Sequence, residues 1–172
     1  MGNPSPLREK VDAPKARPDE GLRARTRSSA KTWMAGTSPA VTTGGIMADL
    51  ESFAFGDSPA LADELLALVL VGAKTATCWA ASEGDKGVKV GKRWIVNDGL
   101  GRGRAVLETV ELTRRRFEEV DETFAHDEGE GDRSLAWWRR AHRNYFTRRG
   151  EFQLGMEVYC ERFRLVEVLG AK

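Results

Sequence analysis
The sequence predicts an α+β domain, a small curved sheet or barrel flanked by helices and preceded by an unstructured tail. Three observations carry that expectation. A strongly apolar helical segment at residues 57–72 is followed by strand-like runs joined by turns, with no room for crossover helices between them. A second helical period occupies residues 134–149. The first 46 residues carry no sustained period of either kind.

Residues 1–46 are rich in Pro, Gly, Ser, Thr and Arg and hold eight basic against four acidic residues. A segment of this composition should bury too little apolar surface to fold. It reads either as a basic nucleic-acid-binding arm or as sequence lying ahead of a true start at Met47. The second is the plainer reading, because patterned sequence begins just after Met47. From Met47 to Lys172 the chain reads as one unit. In "GDSPALADELLALVLVG", Ser58 or Asp57 is placed to cap a helix, with Pro59 at its first position. Asp63 and Glu64 are read as its first turn, Gly72 as its end, and Leu61, Leu65, Leu68 and Val69 as its buried face. "KTATCWA" reads as a short strand. "GVKVGKRWIVNDG" is a turn leading into a strand with Trp94 and Val96 on one face. "GLGRGR" is a hairpin tip, and "RAVLETVELTRRRF" is a half-exposed strand after it. "FEEVDETFAHDEGEGD" starts helical and breaks at its glycines. "SLAWWRRAHRNYFTRR" places Leu135, Trp138, His142 and Tyr145 on one helical stripe, and "MEVYCERFRLVEVL" alternates as a closing strand.

Composition narrows the chemistry. The 172 residues are 41% hydrophobic with five Trp, enough for a core. The net charge is +1, yet beyond residue 46 there are nineteen basic and twenty-two acidic residues. The folded part is mildly acidic, so a nucleic-acid role would need a local basic patch. Arg114–Arg116 and Arg139, Arg140, Arg143, Arg148 and Arg149 are the candidates for that patch. Cys78 and Cys160 form no Cys-x-x-Cys pair, and with only His126 and His142 they suggest no zinc set. They read as free buried thiols of a reducing, cytoplasmic compartment. Neither a cofactor nor a metal is expected. No apolar run reaches the length of a membrane span, and the N-terminus lacks the apolar region of a signal peptide.

"FGDSPALADELLALVLVGAKTATCWA", "VGKRWIVNDG", "EGEGDRSLAWWRRAHRNYF" and "MEVYCERFRLVE" together resemble an ASCH domain of the PUA-like superfamily, over about residues 53–168. The most specific pieces are Gly-x-Lys-Thr-x-Thr after the first helix and "GEGDRSLAWW". The resemblance implies a PUA-like β-barrel with helices at its mouth, and a role in RNA binding. Some members are nucleases or amidohydrolases acting on acylated cytidine, so the fold is implied more strongly than the activity.

The resemblance also implies a site. Amidohydrolase members use a lysine, a threonine three positions later and a downstream glutamate, which here match Lys74, Thr77 and Glu128, with Glu130 as the alternate. On a strand, residues three apart face opposite sides, so Lys74 and Thr77 converge only if the backbone twists near Lys74. A desolvated lysine of lowered pKa would take the threonine proton, and a carboxyl group would protonate the leaving amine. Thr75, Arg133, Ser134, Trp137 and Arg140 are the candidate ligand contacts around the 128–133 loop. Two functions follow: an RNA- or nucleotide-binding module with its site at the barrel mouth, or a small metal-independent hydrolase using Lys74, Thr77 and Glu128. Each residue also has a plainer reading: Lys74 as a helix C-terminal cation, the acidic loop as solvated surface, Trp138 and His142 as core.

Overall fold
The computed structural model describes residues 31–32 and 50–170. Nearly all of the expected tail lies outside them. Within it, Lys31–Thr32 forms β1, a two-residue strand antiparallel to β2 (Ser52–Phe55).

The first helix, α1 (Pro59–Leu70), starts where its sequence says it should. Ser58 is the cap, its hydroxyl accepting from Leu61 N at 3.3 Å, and Pro59 sits in the first turn. Such a cap contributes about 1 kcal/mol. The first turn holds no acidic residue. Asp63 lies one turn further in and accepts from the Gly99 N–H at 2.7 Å, tying α1 to the hairpin tip around Gly99. Leu61, Ala62, Leu65, Leu66 and Val69 are buried. After Val71 caps the C-terminus, the amides of Ala73 and Lys74 both return to Leu68 O, at 2.8 and 3.1 Å. The helix end therefore fixes the backbone of Lys74.

Next come β3 (Ala76–Ala80), β4 (Arg93–Asn97), β5 (Gly103–Arg116), α2 (Glu122–Glu128), α3 (Leu135–Arg148) and β6 (Glu157–Val168). The sheet order is β1-β2-β4-β5-β6-β3, antiparallel except for β2 against β4. β1 also approaches β3, so the two ends of the sheet curl toward each other as the expected barrel requires. The long β5 is bulged between Val106 and Leu107 and again between Thr109 and Glu111. These bulges interrupt the expected alternation: Val106 is buried, Glu108 and Leu112 are partly buried, and Val110 is exposed.

The sheet has a core on each face. On one, α1 packs Leu61, Leu65 and Val69 against Phe53, Phe55, Trp79 and Trp94. On the other, α2 and α3 cover Ala76, Cys78, Ala80, Val158 and Cys160 with Phe124, Trp138, Tyr145 and Phe146. Trp138 is 1% exposed, its ring stacked on Phe117 at 5.1 Å and on His142 at 4.2 Å, as the helical stripe predicts. Since β3 is buried on both faces, its side chains divide between the two cores.

Candidate functional site
Lys74 leaves α1 just before β3 begins, so the strand rule that would set it opposite Thr77 does not apply to it. Its side chain runs inward over the Phe55 ring, 5.5 Å from the centroid, and is 1% exposed. There Nζ donates to Glu130 Oε1 at 2.7 Å, to Glu128 Oε2 at 3.2 Å and to the Glu128 carbonyl at 3.2 Å. The acidic loop is not solvated surface: Glu128 is 0% and Glu130 5% exposed. Both candidate glutamates reach the lysine.

The glycines of "EGEG" make this possible. Asp121 caps α2 by accepting from Phe124 N, and the helix ends at Gly129 in the left-handed region, φ 73°. A Cβ at Gly129 would overlap the backbone carbonyl of Ala73, and one at Gly131 would overlap the Trp137 indole. Only a bare backbone lets the loop come close enough for both carboxylates to meet Lys74. Thr75 adds a second tie, its amide donating to Asp127 O at 2.8 Å and its hydroxyl at 3.4 Å.

The charges are set by this enclosure. Burial alone would lower the Lys74 pKa, but the charges of Glu130 and Glu128 and their hydrogen bonds outweigh it and raise the value. Lys74 is an ammonium rather than the neutral base expected from its burial. Glu130 is pushed up to about 8, by burial first and by the neighbouring Glu128 charge, against the pull of Lys74. Glu128 resists burial through Lys74, then His142, with the Trp138 indole and the Cys78 thiol also turned toward it, and stays below the usual value. The pair thus divides into one carboxylate that keeps its charge and one acid that titrates near neutrality.

Behind Glu128 stands His142, buried in the core as its place on the α3 stripe predicts. His142 is 0% exposed, its Nδ1 is 3.1 Å from Trp138 O, and its Nε2 is 3.7 Å from Glu128 Oε1. Cys78 lies beside them, and one ligand atom from each of Cys78, Glu128 and His142 falls within 4.8 Å of the others. These three residues could hold a metal ion. Glu128 joins Cys78 and His142 as a donor type that a Cys/His spacing pattern does not include.

Thr77 is fully buried, and its hydroxyl makes no hydrogen bond among the described residues. It faces the α1-side core, next to Trp79 in the strand and opposite Glu161 on β6, where Glu161 accepts from Thr109 Oγ1 at 2.6 Å. The other predicted contacts serve the loop. Ser134 caps α3 by accepting from Trp137 N at 3.1 Å, and its own hydroxyl donates to Asp132. Arg133 has a positive φ of 62° and its amide donates to Glu130 O, while the half-buried Trp137 covers Gly131. Arg140 is exposed.

The proposed basic patch is largely committed elsewhere. Arg114 pairs with Glu157, Arg115 with Asp121, Arg148 with Asp57 and Arg149 with Glu151. Arg139 donates to the carbonyls of Glu118 and Val120. Among the described residues, no helix is long and apolar enough to cross a membrane.

No curated protein matches the chain. The ASCH domain from Lactobacillus crispatus JV V101 is 32% identical and superposes with a TM-score of 0.62, covering 69% of this chain and 80% of its own. Protein EF3133 from Enterococcus faecalis V583 is 27% identical, also at 0.62, covering 72% of this chain and 84% of its own. A family model described as "ASCH domain" spans residues 51–167, from β2 through all but the last residue of β6, and includes both glutamates and Lys74. The chain belongs to the ASCH-domain family, whose PUA-like fold is often linked to RNA binding.

Proposed function
We propose that this domain is a hydrolase that cleaves an acyl group from a nucleoside-sized amide, of the acylated cytidine type, at the Lys74–Glu130 pair. One observation carries the reading: a buried ammonium and a carboxyl group titrating near neutrality meet at 2.7 Å. A group with a pKa near the working pH is suited to take a proton and return it. In this mechanism the Thr77 hydroxyl attacks the acyl carbonyl carbon and ionised Glu130 accepts the hydroxyl proton. Lys74 stabilises the oxyanion, a role that suits an ammonium held charged by two carboxylates. Glu130 then protonates the leaving nitrogen, the C–N bond breaks, and water releases the acyl group from Thr77. Glu128 holds Lys74 in place.

Enclosure favours this over recognition of a polynucleotide. Strand binding uses an open basic groove with stacking platforms. Here Lys74, Thr77 and Glu130 are almost wholly buried, and four of the eight candidate arginines are paired with carboxylates.

The test is turnover of the full chain on N4-acetylcytidine, with binding to a short single-stranded RNA measured beside it. Cleavage by the wild type, with most of it lost in Glu130→Gln, is the expected result. No cleavage, together with RNA affinity that falls steeply with salt, overturns the hydrolase in favour of the binding module.

A further inference from the structure
We propose that Cys78, Glu128 and His142 form a zinc site behind Lys74, binding through the Cys78 thiolate, Glu128 Oε1 and His142 Nε2. This stands apart from the hydrolase reading, since none of the steps assigned to Lys74, Thr77 and Glu130 uses the ion.

The geometry is close to what zinc requires. In tetrahedral coordination, bond lengths of about 2.0–2.3 Å place donor atoms roughly 3.3–3.6 Å apart. His142 Nε2 and Glu128 Oε1 are 3.7 Å apart already, and the Cys78 sulfur lies within 4.8 Å of a ligand atom of each residue.

The histidine is oriented as a ligand. Trp138 O can only accept, so the hydrogen on the His142 ring belongs on Nδ1, 3.1 Å away. In the neutral ring this leaves the Nε2 lone pair directed at Glu128 Oε1. A zinc ion between them would take that lone pair and the carboxylate oxygen as two of its donors, in place of the ion pair that a protonated ring makes. A backbone carbonyl that fixes the tautomer of a ligand histidine is the usual outer support of a metal site. The Trp138 indole, itself met edge-on by Phe124, stacks on the His142 ring at 4.2 Å and further holds it.

Charge and donor type agree with zinc. One thiolate and one carboxylate bring two negative charges to a divalent cation beside a neutral imidazole, with Lys74 next to them also paired to Glu130, which matters where the three side chains are fully buried. The mixed sulfur, nitrogen and oxygen set suits borderline-soft Zn²⁺ and excludes Mg²⁺ and Ca²⁺, which take oxygen donors. Glu128 uses its two oxygens in opposite directions, Oε2 toward Lys74 and Oε1 toward His142. An ion there would pin the carboxylate that holds the lysine. The three donors come from β3, the end of α2 and the middle of α3, so the ion would also clamp both helices to the sheet.

The experiment uses the full chain with any tag removed, loaded with zinc sulfate or cobalt chloride and then desalted. About one equivalent of zinc per chain should remain, and the cobalt form should show a near-ultraviolet thiolate-to-metal band. Cys78→Ser and His142→Gln should each cut the retained zinc at least about tenfold, as loss of a ligand does. Cys160→Ser should keep both the zinc and the band. Less than about a tenth of an equivalent in the wild type, or zinc retained without a thiolate band in the cobalt form, overturns the proposal. So does a band that survives Cys78→Ser and disappears in Cys160→Ser. Should the Cys78 and His142 variants fail to fold, the wild-type stoichiometry and the Cys160→Ser spectrum still decide.

Discussion

Glu130 makes a prediction about stability against pH that runs opposite to the ordinary behaviour of carboxylates. An unfolded glutamate titrates near 4.5, whereas folded Glu130 titrates at about 8. Between those values the native state keeps a proton that the unfolded chain has shed. Stability is then greatest below the unfolded value and falls as pH rises toward 8, by at most about 1.4 kcal/mol per pH unit for one proton. Glu128, whose pKa is lowered, acts in the other direction and only below 4.5. Lys74, raised above 10.5, loses its contribution above the window. Asp98, Asp121 and Asp132 have lowered values and act below 3.8. The Glu130 contribution to the slope is isolated by comparison with Glu130→Gln. Glutamine imitates the protonated acid and leaves Lys74 balanced by Glu128 alone. Urea denaturation at pH 5, 6, 7 and 8 should show variant and wild type alike in acid, with the variant increasingly the more stable toward pH 8. Parallel curves across the window would refute the argument, because they would mean that Glu130 ionises alike in both states.

Gly129→Ala should destabilise by at least about 1–3 kcal/mol, the usual cost of overpacking, because its Cβ overlaps the Ala73 carbonyl at a positive φ. It should also abolish turnover by pushing the glutamates away from Lys74, and a normal melting temperature would contradict this. Trp138→Ala should cost about 3–5 kcal/mol in chemical denaturation, as for a buried aromatic. Exposed Arg140→Ala should stay within about 0.5 kcal/mol, and the contrast fails if Trp138→Ala folds normally yet loses ligand. For turnover, Lys74→Ala and Thr77→Ala should each remove most activity and the double variant little more, since groups acting on one transition state are strongly non-additive. Additive losses in kcat/KM would separate the two residues mechanistically.

Local physics was readable in this chain and distant pairing was not. The start of α1 follows from Ser58 and Pro59, and the burial of Trp138 from a stripe on one helix; each depends on residues within a few positions. The arginines were harder. Arg114 is neutralised by Glu157 through the β5–β6 register, which two bulges in β5 make impossible to count from sequence. Cys78 and His142 sit on a strand and a helix far apart in the chain, so nothing local announced that they meet.

The acidic loop is the most instructive case. A run such as "HDEGEGD" reads as solvated surface because burying a charge without a partner costs several kcal/mol. That rule holds, and its condition is met from elsewhere: Lys74, whose backbone the end of α1 fixes, arrives at the two carboxylates from over fifty residues away. Once the lysine is inside, the same rule reverses its own expected chemistry. A buried lysine alone would shed its proton and serve as a base; between two glutamates it stays charged, and the titratable role passes to Glu130. Burial, a lone cation and an extra carboxylate combine into a neutral-range acid that no one of the three residues would provide, and a local rule that fails in this way is itself a marker of a functional site.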